Sequence, residues 1–481
     1  MILPDSFAHR TEQMMGSGLF GRFVKALDEE PPVSIRINGK KWNGRPVVCE
    51  RVPWCASGYY LSSRPAFTFD PLLHAGCYYV QEASSMFVAH VISEYVDKPV
   101  AMLDLCAAPG GKSTAALSAL PDGSMLVCNE PVRQRANILV ENICKWGSPN
   151  VVVTNNFPVD FVSSGILFDV ILCDVPCSGE GMFRKDDGAV GEWSVQGVEA
   201  CGRLQREIVG CAWRCLRPGG LLIYSTCTFN TAENEENISW MCDNLGAEPL
   251  PSGICEEWGI TGSLLDGFSE PVCRFIPGVS RGEGLFMAAL RKPDDGSASV
   301  SCLSVEHEAG SKLLPSKMKR KAGRQRKNNK ADKMKLPVHW LLDDTHAFDF
   351  SMRGDIIEAV PDSLRDIYKA AVSRLKVLSA GVTVGCVKGR DIVPDASLAL
   401  STLLNRDAFH LVELSYADAV SYLRRDSITL PADTPRGYVL VTYRGVVLGF
   451  MKNIGNRANN LYPQEWKIKS THVPDMPHVI D

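Results

Sequence analysis

The sequence predicts an α/β chain built around a doubly wound, largely parallel sheet. Two observations predict it. Short apolar runs alternate with helix-patterned stretches from about residue 76 to 293, and a glycine turn follows the first of those runs. VAMLDL (100–105) reads as a buried strand and KSTAALSAL (112–120) as the start of a helix. MLVCNE (125–130) is the next strand and VRQRANILVENICKW (132–146) the next helix. VVVT (151–154) and FDVILCD (168–174) are strands, LQREIVGCAWRCL (204–216) is helical, and GLLIYSTC (220–227) is a strand again. Such a βαβα rhythm gives a Rossmann-like sheet with helices on both faces.

Three further blocks flank this domain. Residues 1–75 form a small α+β segment in which SIRIN (34–38) alternates like a strand and GYYL (58–61) reads as another. Residues 294–336 form a linker. Its stretch 312–335 is dense in Lys and Arg with Asp332 as the one acid, and it has too few large apolar residues to bury itself. It reads as a solvated linker that can also tether phosphate. Residues 337–481 read as a separate domain of mixed structure. GYVLVTYRGVVLGFMKNIGNRANNLYPQEW (437–466) looks like strand, turn at Arg444-Gly445, strand, then a basic loop.

Charge does not announce a partner: 51 Lys and Arg stand against 55 Asp and Glu, a net charge of −4. No run is long enough for a membrane span, and MILPDSFAHR lacks the pattern of a secretion signal, so the expected compartment is the cytoplasm. Seventeen cysteines therefore sit in a reducing environment, mostly as small buried hydrophobes. No Cys-x-x-Cys pair occurs, and Cys173/Cys177 and Cys211/Cys215 lack nearby His, so no metal site is expected. A monomer is the default expectation.

Ligands of open α/β sheets bind at the carboxyl ends of the strands. Strand one ends in LDLCAAPGGKST (103–114), where Gly110 and Gly111 allow a tight turn and a close approach to a ligand. The dinucleotide fingerprint is absent. The phosphate loop fails because Cys106 stands where its first glycine is required. Glu130, at the end of the next strand, is placed to accept the ribose hydroxyls of an adenosine; the plainer reading is a helix-start acid.

Asp174, Cys177 and Cys227 lie at the ends of two further strands and project towards the same crevice. Two thiols and a carboxylate suit methylation of cytosine carbon-5. A thiolate added to carbon-6 makes carbon-5 nucleophilic towards a methyl sulfonium, and a carboxyl group near ring nitrogen-3 can hold and protonate the base. A second thiol can assist release. Each cysteine taken alone is equally well a buried structural thiol.

At these residues the sequence resembles the Sun-type (Nop/Sun) family of RNA cytosine-5 methyltransferases. The likeness rests on YVQEASSM (79–86), DLCAAPGGKST (104–114), NE (129–130), DVPCSGEGMFRK (174–185) and STCTFNTAENE (225–235). The resemblance implies S-adenosyl-L-methionine as cofactor, held by Cys106, Ala107, Ala108, Pro109, Gly110, Gly111 and Lys112, with Glu130 on the ribose and Asp174 at the substrate side. It implies Cys227 as nucleophile and Cys177 as the thiol that helps release product. Many members carry an acid after strand three at the adenine edge. Here TNNFP (154–158) offers Asn155 or Asn156 instead, and Asn156 is the expected contact. The C-terminal block resembles bacterial RsmF-like members, which modify 16S ribosomal RNA and end in a PUA-like RNA-binding domain. Its Lys452, Arg457 and Asn460 would suit phosphate and sugar contacts. The expected partner is thus RNA, 16S rRNA or the small ribosomal subunit. The alternatives are a transfer RNA substrate, another acceptor such as DNA, or a non-catalytic ribosome assembly factor.

Overall fold

A computed structural model of the chain describes residues 1–44, 46, 49–294, 336–342, 348–470, 473, 477 and 479–480. The basic stretch 312–335 lies outside the described residues.

The chain begins with α1 (Asp5–Leu27), an element the sequence reading did not predict. It is broken at Gly16, whose φ of 73° lies in the left-handed region that glycine tolerates. β1 (Val33–Ile37), β2 (Cys49–Arg51), β3 (Gly58–Leu61), α2 (Pro71–His74) and β4 (Tyr78–Val80) follow. The strands make a four-stranded sheet in the order β2-β3-β1-β4.

The central unit runs α3 (Phe87–Tyr95), β5 (Ala101–Asp104), α4 (Gly111–Ala119), β6 (Met125–Asn129), α5 (Arg133–Trp146), β7 (Val151–Thr154), α6 (Pro158–Ser164) and β8 (Phe168–Asp174). It continues with α7 (Asp187–Glu192), α8 (Val195–Cys215), β9 (Leu216–Thr226), α9 (Glu235–Leu245), β10 (Glu248–Leu250), β11 (Cys273–Phe275) and β12 (Leu285–Arg291). α8 starts nine residues before the predicted helix because the Ser194 side chain accepts from the Gly197 amide and caps it there. β9, β8, β5, β6 and β7 lie side by side and parallel. β12 and β10 extend the β9 edge antiparallel.

Burial on both faces explains why these strands read as continuous apolar runs rather than alternating ones. Met102, Cys128, Val153, Leu172 and Ile223 join one core with α3, α4 and α5. Leu103, Val127, Val152, Ile171 and Leu222 join the other with α6, α8 and α9. The chain winds from β5 outward to β7, then crosses back to β8. The sheet therefore switches direction between β5 and β8, beside Asp104 and Asp174, the place at which open α/β sheets form their ligand crevice.

The C-terminal block holds β13 (Phe348–Arg353), β14 (Ile356–Pro361), α10 (Arg365–Arg374), β15 (Val377–Ala380), β16 (Val382–Lys388), β17 (Asp391–Pro394) and α11 (Ala396–Leu400). Then come β18 (His410–Glu413), α12 (Tyr416–Arg424), β19 (Gly437–Tyr443), β20 (Val446–Asn453) and β21 (Ala458–Asn460). The predicted hairpin turn is present: Arg444 and Gly445 both have positive φ, at 51° and 73°, as a two-residue turn between twisted strands requires. The expected basic loop contains β21, paired with β20. One feature was not legible in sequence. β15 pairs antiparallel with β7 and caps the parallel edge of the central sheet. The block read as separate thus contributes a strand to the sheet that carries the crevice.

Candidate active site

The loop after β5 is held from three sides. The Ala107 amide donates to the Asn129 carbonyl (2.8 Å), Arg135 Nη2 donates to the Ala108 carbonyl (2.9 Å), and Asn142 Nδ2 donates to the Pro109 carbonyl (2.8 Å). The Ala108–Pro109 bond is cis, and Gly110 has φ 110° as the residue before α4. A side chain at Gly110 would press on Leu139 at 3.2 Å, so glycine is needed for both backbone and space. Burial pushes the Cys106 thiol well above its ordinary value. That leaves it a neutral wall of the loop. Asp104, at the end of β5, accepts from Ser113 Oγ through Oδ2 (2.6 Å). Its Oδ1 is buried with no hydrogen-bond partner among the described residues, and burial raises its pKa to about 7.

Glu130 follows β6 and is 1 % exposed. Its Oε1 accepts from the Val132 amide (2.9 Å) at the start of α5, and its Oε2 lies 3.6 Å from Arg135. One oxygen thus holds the turn into α5, and the other lies beside Arg135. Asn129 beside it ties the strand ends together, donating to the Leu105 and Asn156 carbonyls and accepting from the Asn156 amide.

Asn156 is the expected adenine contact. It is 7 % exposed, and its side chain bonds the residue that precedes β15. Asn156 Oδ1 accepts from the Lys376 amide (3.0 Å) and Nδ2 donates to the Lys376 carbonyl (3.3 Å). An amide can close such a backbone-like pair; the carboxylate of the family pattern cannot donate. Asn155 is likewise engaged, with the Glu130 and Pro131 carbonyls and with Lys376 Nζ.

Across the crevice, Asp174 ends β8. Lys112 Nζ lies 2.9 Å from its Oδ2, and Ser225 Oγ donates to its Oδ1 (2.7 Å). Burial works against the Lys112 charge, and Asp174 outweighs it, so the lysine is held above its ordinary value. Lys112, predicted as part of the cofactor loop, thus also reaches Asp174 at the end of β8.

Cys177 and Cys227 Sγ atoms are 3.2 Å apart. The hydrogen bond from Cys177 holds the Cys227 thiol below its ordinary value against the effect of burial, with Lys112 acting in the same direction and Asp174 opposing it. The same hydrogen bond, with burial, pushes Cys177 well up. The two thiols are therefore shifted in opposite directions, Cys227 down and Cys177 up.

Three groups of contacts that shape this pair escaped the sequence reading. Phe7 and Phe23 of α1 pack edge-on against Phe183 and Phe229, which follow the two cysteines, with centroid separations of 4.9 Å each. Arg274 of β11 donates to the Phe229 carbonyl (2.5 Å). Glu180 and Glu233 lie inside the two cysteine motifs, yet acids in polar loops carry no sequence signal of burial. In the C-terminal block, Lys452 is paired with Asp391 (2.6 Å) and Asn460 bonds Tyr422 and Tyr462, while Arg457 is exposed.

The comparisons with known proteins agree with this layout. Residues 95–291 match the model of 16S rRNA methyltransferase RsmB/F, residues 3–83 the N-terminal domain of 16S rRNA methyltransferase RsmF, and residues 409–468 the methyltransferase RsmF PUA domain. The chain is 30 % identical to the ribosomal RNA small subunit methyltransferase F of Escherichia coli (strain HS), over 97 % of this chain and 96 % of that one. The chain belongs to the RsmB/F family of 16S rRNA methyltransferases. The corresponding protein of Aliivibrio fischeri is 29 % identical over 97 % of this chain and 98 % of its own. Among solved structures, a methyltransferase homolog from Pyrococcus horikoshii matches with TM-score 0.52 and 27 % identity, covering 60 % of this chain and 95 % of that one. NSun6 from the same organism, solved with SFG, has TM-score 0.51 at 21 % identity, covering 60 % and 98 %; that likeness bears on the fold.

S-adenosyl-L-methionine is the cofactor of this RsmB/F-family chain. The residues fit it. The unpartnered Asp104 oxygen, the small Ala107 and Ala108 side chains and the glycine turn leave room and a polar anchor beside the crevice. RNA is the substrate class of the family, and a PUA domain is the corresponding RNA-binding module. Among the described residues no helix is long and apolar enough to cross a membrane.

Proposed function

We propose that this chain methylates carbon-5 of a cytosine in 16S rRNA with Cys227 as covalent nucleophile. The observation that carries the reading is the Cys177–Cys227 pair at 3.2 Å beside the Lys112–Asp174 ion pair, at the switch point of the sheet. The target base has to be unstacked to reach a thiol in this crevice, so a loop or flexible element of the RNA is the site. Cys227 sulfur adds to cytosine carbon-6, and Asp174 and Lys112 face the ring edge as its charge changes. Bound S-adenosyl-L-methionine supplies an electrophilic methyl group for carbon-5. Loss of the carbon-5 proton and elimination of Cys227 then restore the aromatic base. The carbon-5 proton passes to water, and Cys177 assists the elimination by donating a hydrogen bond to Cys227 sulfur as it departs as a thiolate.

Replacing Cys177 by Ala should therefore trap the adduct. Mixed with S-adenosyl-L-methionine and 16S rRNA, Cys177→Ala protein should show an RNA-linked band on a denaturing gel, and Cys177→Ala/Cys227→Ala should show none. Methyl transfer by the wild type without a trapped band in Cys177→Ala would overturn the release role.

In the same reading Glu130 holds the cofactor ribose. Glu130→Ala should weaken cofactor binding about 10- to 100-fold, the loss of charged hydrogen bonds worth about 1.5–3 kcal/mol. Unchanged affinity by calorimetry would leave Glu130 with its helix-capping role alone.

A further inference from the structure

The two cysteine loops are joined by a pair of buried carboxylates, each rooted in one loop and bonded to the other. Glu180, three residues after Cys177, is 2 % exposed. Its Oε2 accepts from the backbone amides of Phe229 (2.7 Å) and Asn230 (3.0 Å), just past Cys227. Its Oε1 accepts from Trp193 Nε1 and Asn230 Nδ2, both at 3.0 Å. Glu233, six residues after Cys227, is fully buried. Its Oε2 accepts from the Ser178 amide (3.0 Å), next to Cys177, and from Gln205 Nε2 (2.6 Å); its Oε1 accepts from Asn230 Nδ2 (2.8 Å).

Two more cross-links lie between them. The Gly181 amide donates to the Cys227 carbonyl (2.8 Å), and the Ser178 and Thr228 hydroxyls meet at 2.8 Å. A side chain at Gly181 would come within 2.9 Å of the Cys227 carbonyl oxygen, so the loops approach as closely as glycine permits. Two carboxylates are costly to bury, and charged hydrogen bonds to fixed backbone amides are what offsets the cost. Among the hydrogen bonds of the described residues, none joins either acid to the crevice residues Asp174 or Lys112.

We propose that Glu180 and Glu233 are positioning residues that form a reciprocal clamp, fixing Cys177 against Cys227 so that the product can be released. The inference rests on the release role given to Cys177 above. Positioning of this kind is sensitive: a displacement of about 1 Å between reacting groups costs about 100-fold in rate.

The test uses the full-length chain with 16S rRNA and S-adenosyl-L-methionine. Glu233→Gln keeps the side-chain shape but turns one acceptor into a donor, facing the donors of Ser178, Gln205 and Asn230. Gln205 cannot simply flip, because its Nε2 also donates to the Pro176 carbonyl and its Oε1 accepts from Asn237 and Tyr224. Multiple turnover should fall about 100-fold, well beyond any loss in single-turnover methyl transfer, and the denaturant-stable RNA adduct should accumulate. Glu180→Gln, which loosens the same contact from the other loop, should behave alike. It keeps the test open if Glu233→Gln does not fold, as judged by cofactor binding. If Cys177→Ala traps the adduct while both Gln variants fold and turn over at the wild-type rate without it, the clamp fails alone. If Cys177→Ala traps nothing, the release reading fails and the clamp with it.

Discussion

Cys227→Ala should abolish methyl transfer while leaving cofactor affinity unchanged. The neighbouring thiol is not expected to take over, because Cys177 stays buried in the variant, and burial pushes its thiol up. With the nucleophile gone, carbon-5 of cytosine is left without the carbon-6 adduct that activates it. The expected loss is at least about 10,000-fold in kcat, the scale on which removal of a covalent nucleophile falls. Cofactor binding should survive because Cys227 follows β9, whereas the cofactor loop and Glu130 follow β5 and β6 on the far side of the switch point. A methyl-transfer assay and calorimetry on the same sample separate the two effects. Turnover within tenfold of wild type would sink the nucleophile role.

Arg274→Ala should be the most destabilising single change near the site. Arg274 and Glu235 are both fully buried, and Arg274 Nη2 lies 2.6 and 2.7 Å from the two carboxylate oxygens. The guanidinium also stacks 5.1 Å from the Phe286 ring centre. Truncating the arginine leaves Glu235 as an uncompensated buried charge and the Phe229 carbonyl without its donor. Breaking a buried pair in this way costs about 3–5 kcal/mol. Urea denaturation should read it as a lower midpoint at unchanged slope. The double variant Arg274→Met/Glu235→Leu should recover much of the loss, because removing both charges removes the penalty. A loss below about 1 kcal/mol for Arg274→Ala would mean that water reaches the pair.

The cysteine loops, the glycine turn and the parallel strands were legible because each is written in a short local pattern. Apolar runs of four to seven residues bounded by turns mark strands buried on both faces. α1 was missed because its glycines, among them the break at Gly16, mask a helical period, although its Phe7 and Phe23 back both cysteine loops. Asn156 has a tertiary contact that the sequence does not show. Its neighbours in sequence say that it follows a strand, but its partner is Lys376, 220 residues away. Glu180 and Glu233 sit in polar loops, where an acid is ordinarily solvated, so nothing local marks them as buried.

The sequence by itself determined the chemistry available: two thiols, an acid and a glycine turn, each at the end of a strand in a βαβ series. Side-chain type and strand position are local properties, and local properties survive in a linear string. Only the tertiary structure decided which of those groups meet and in what state. The 3.2 Å between Cys177 and Cys227, the ion pair of Lys112 with Asp174, and the closing of the sheet edge by β15 all join residues 50 or more apart in the chain. Such distances are set by burial and hydrogen bonding among elements that are adjacent only once the sheet has formed. The difference between the two thiols follows from the same assembly, since a thiol's acidity depends on its neighbours in space rather than in sequence.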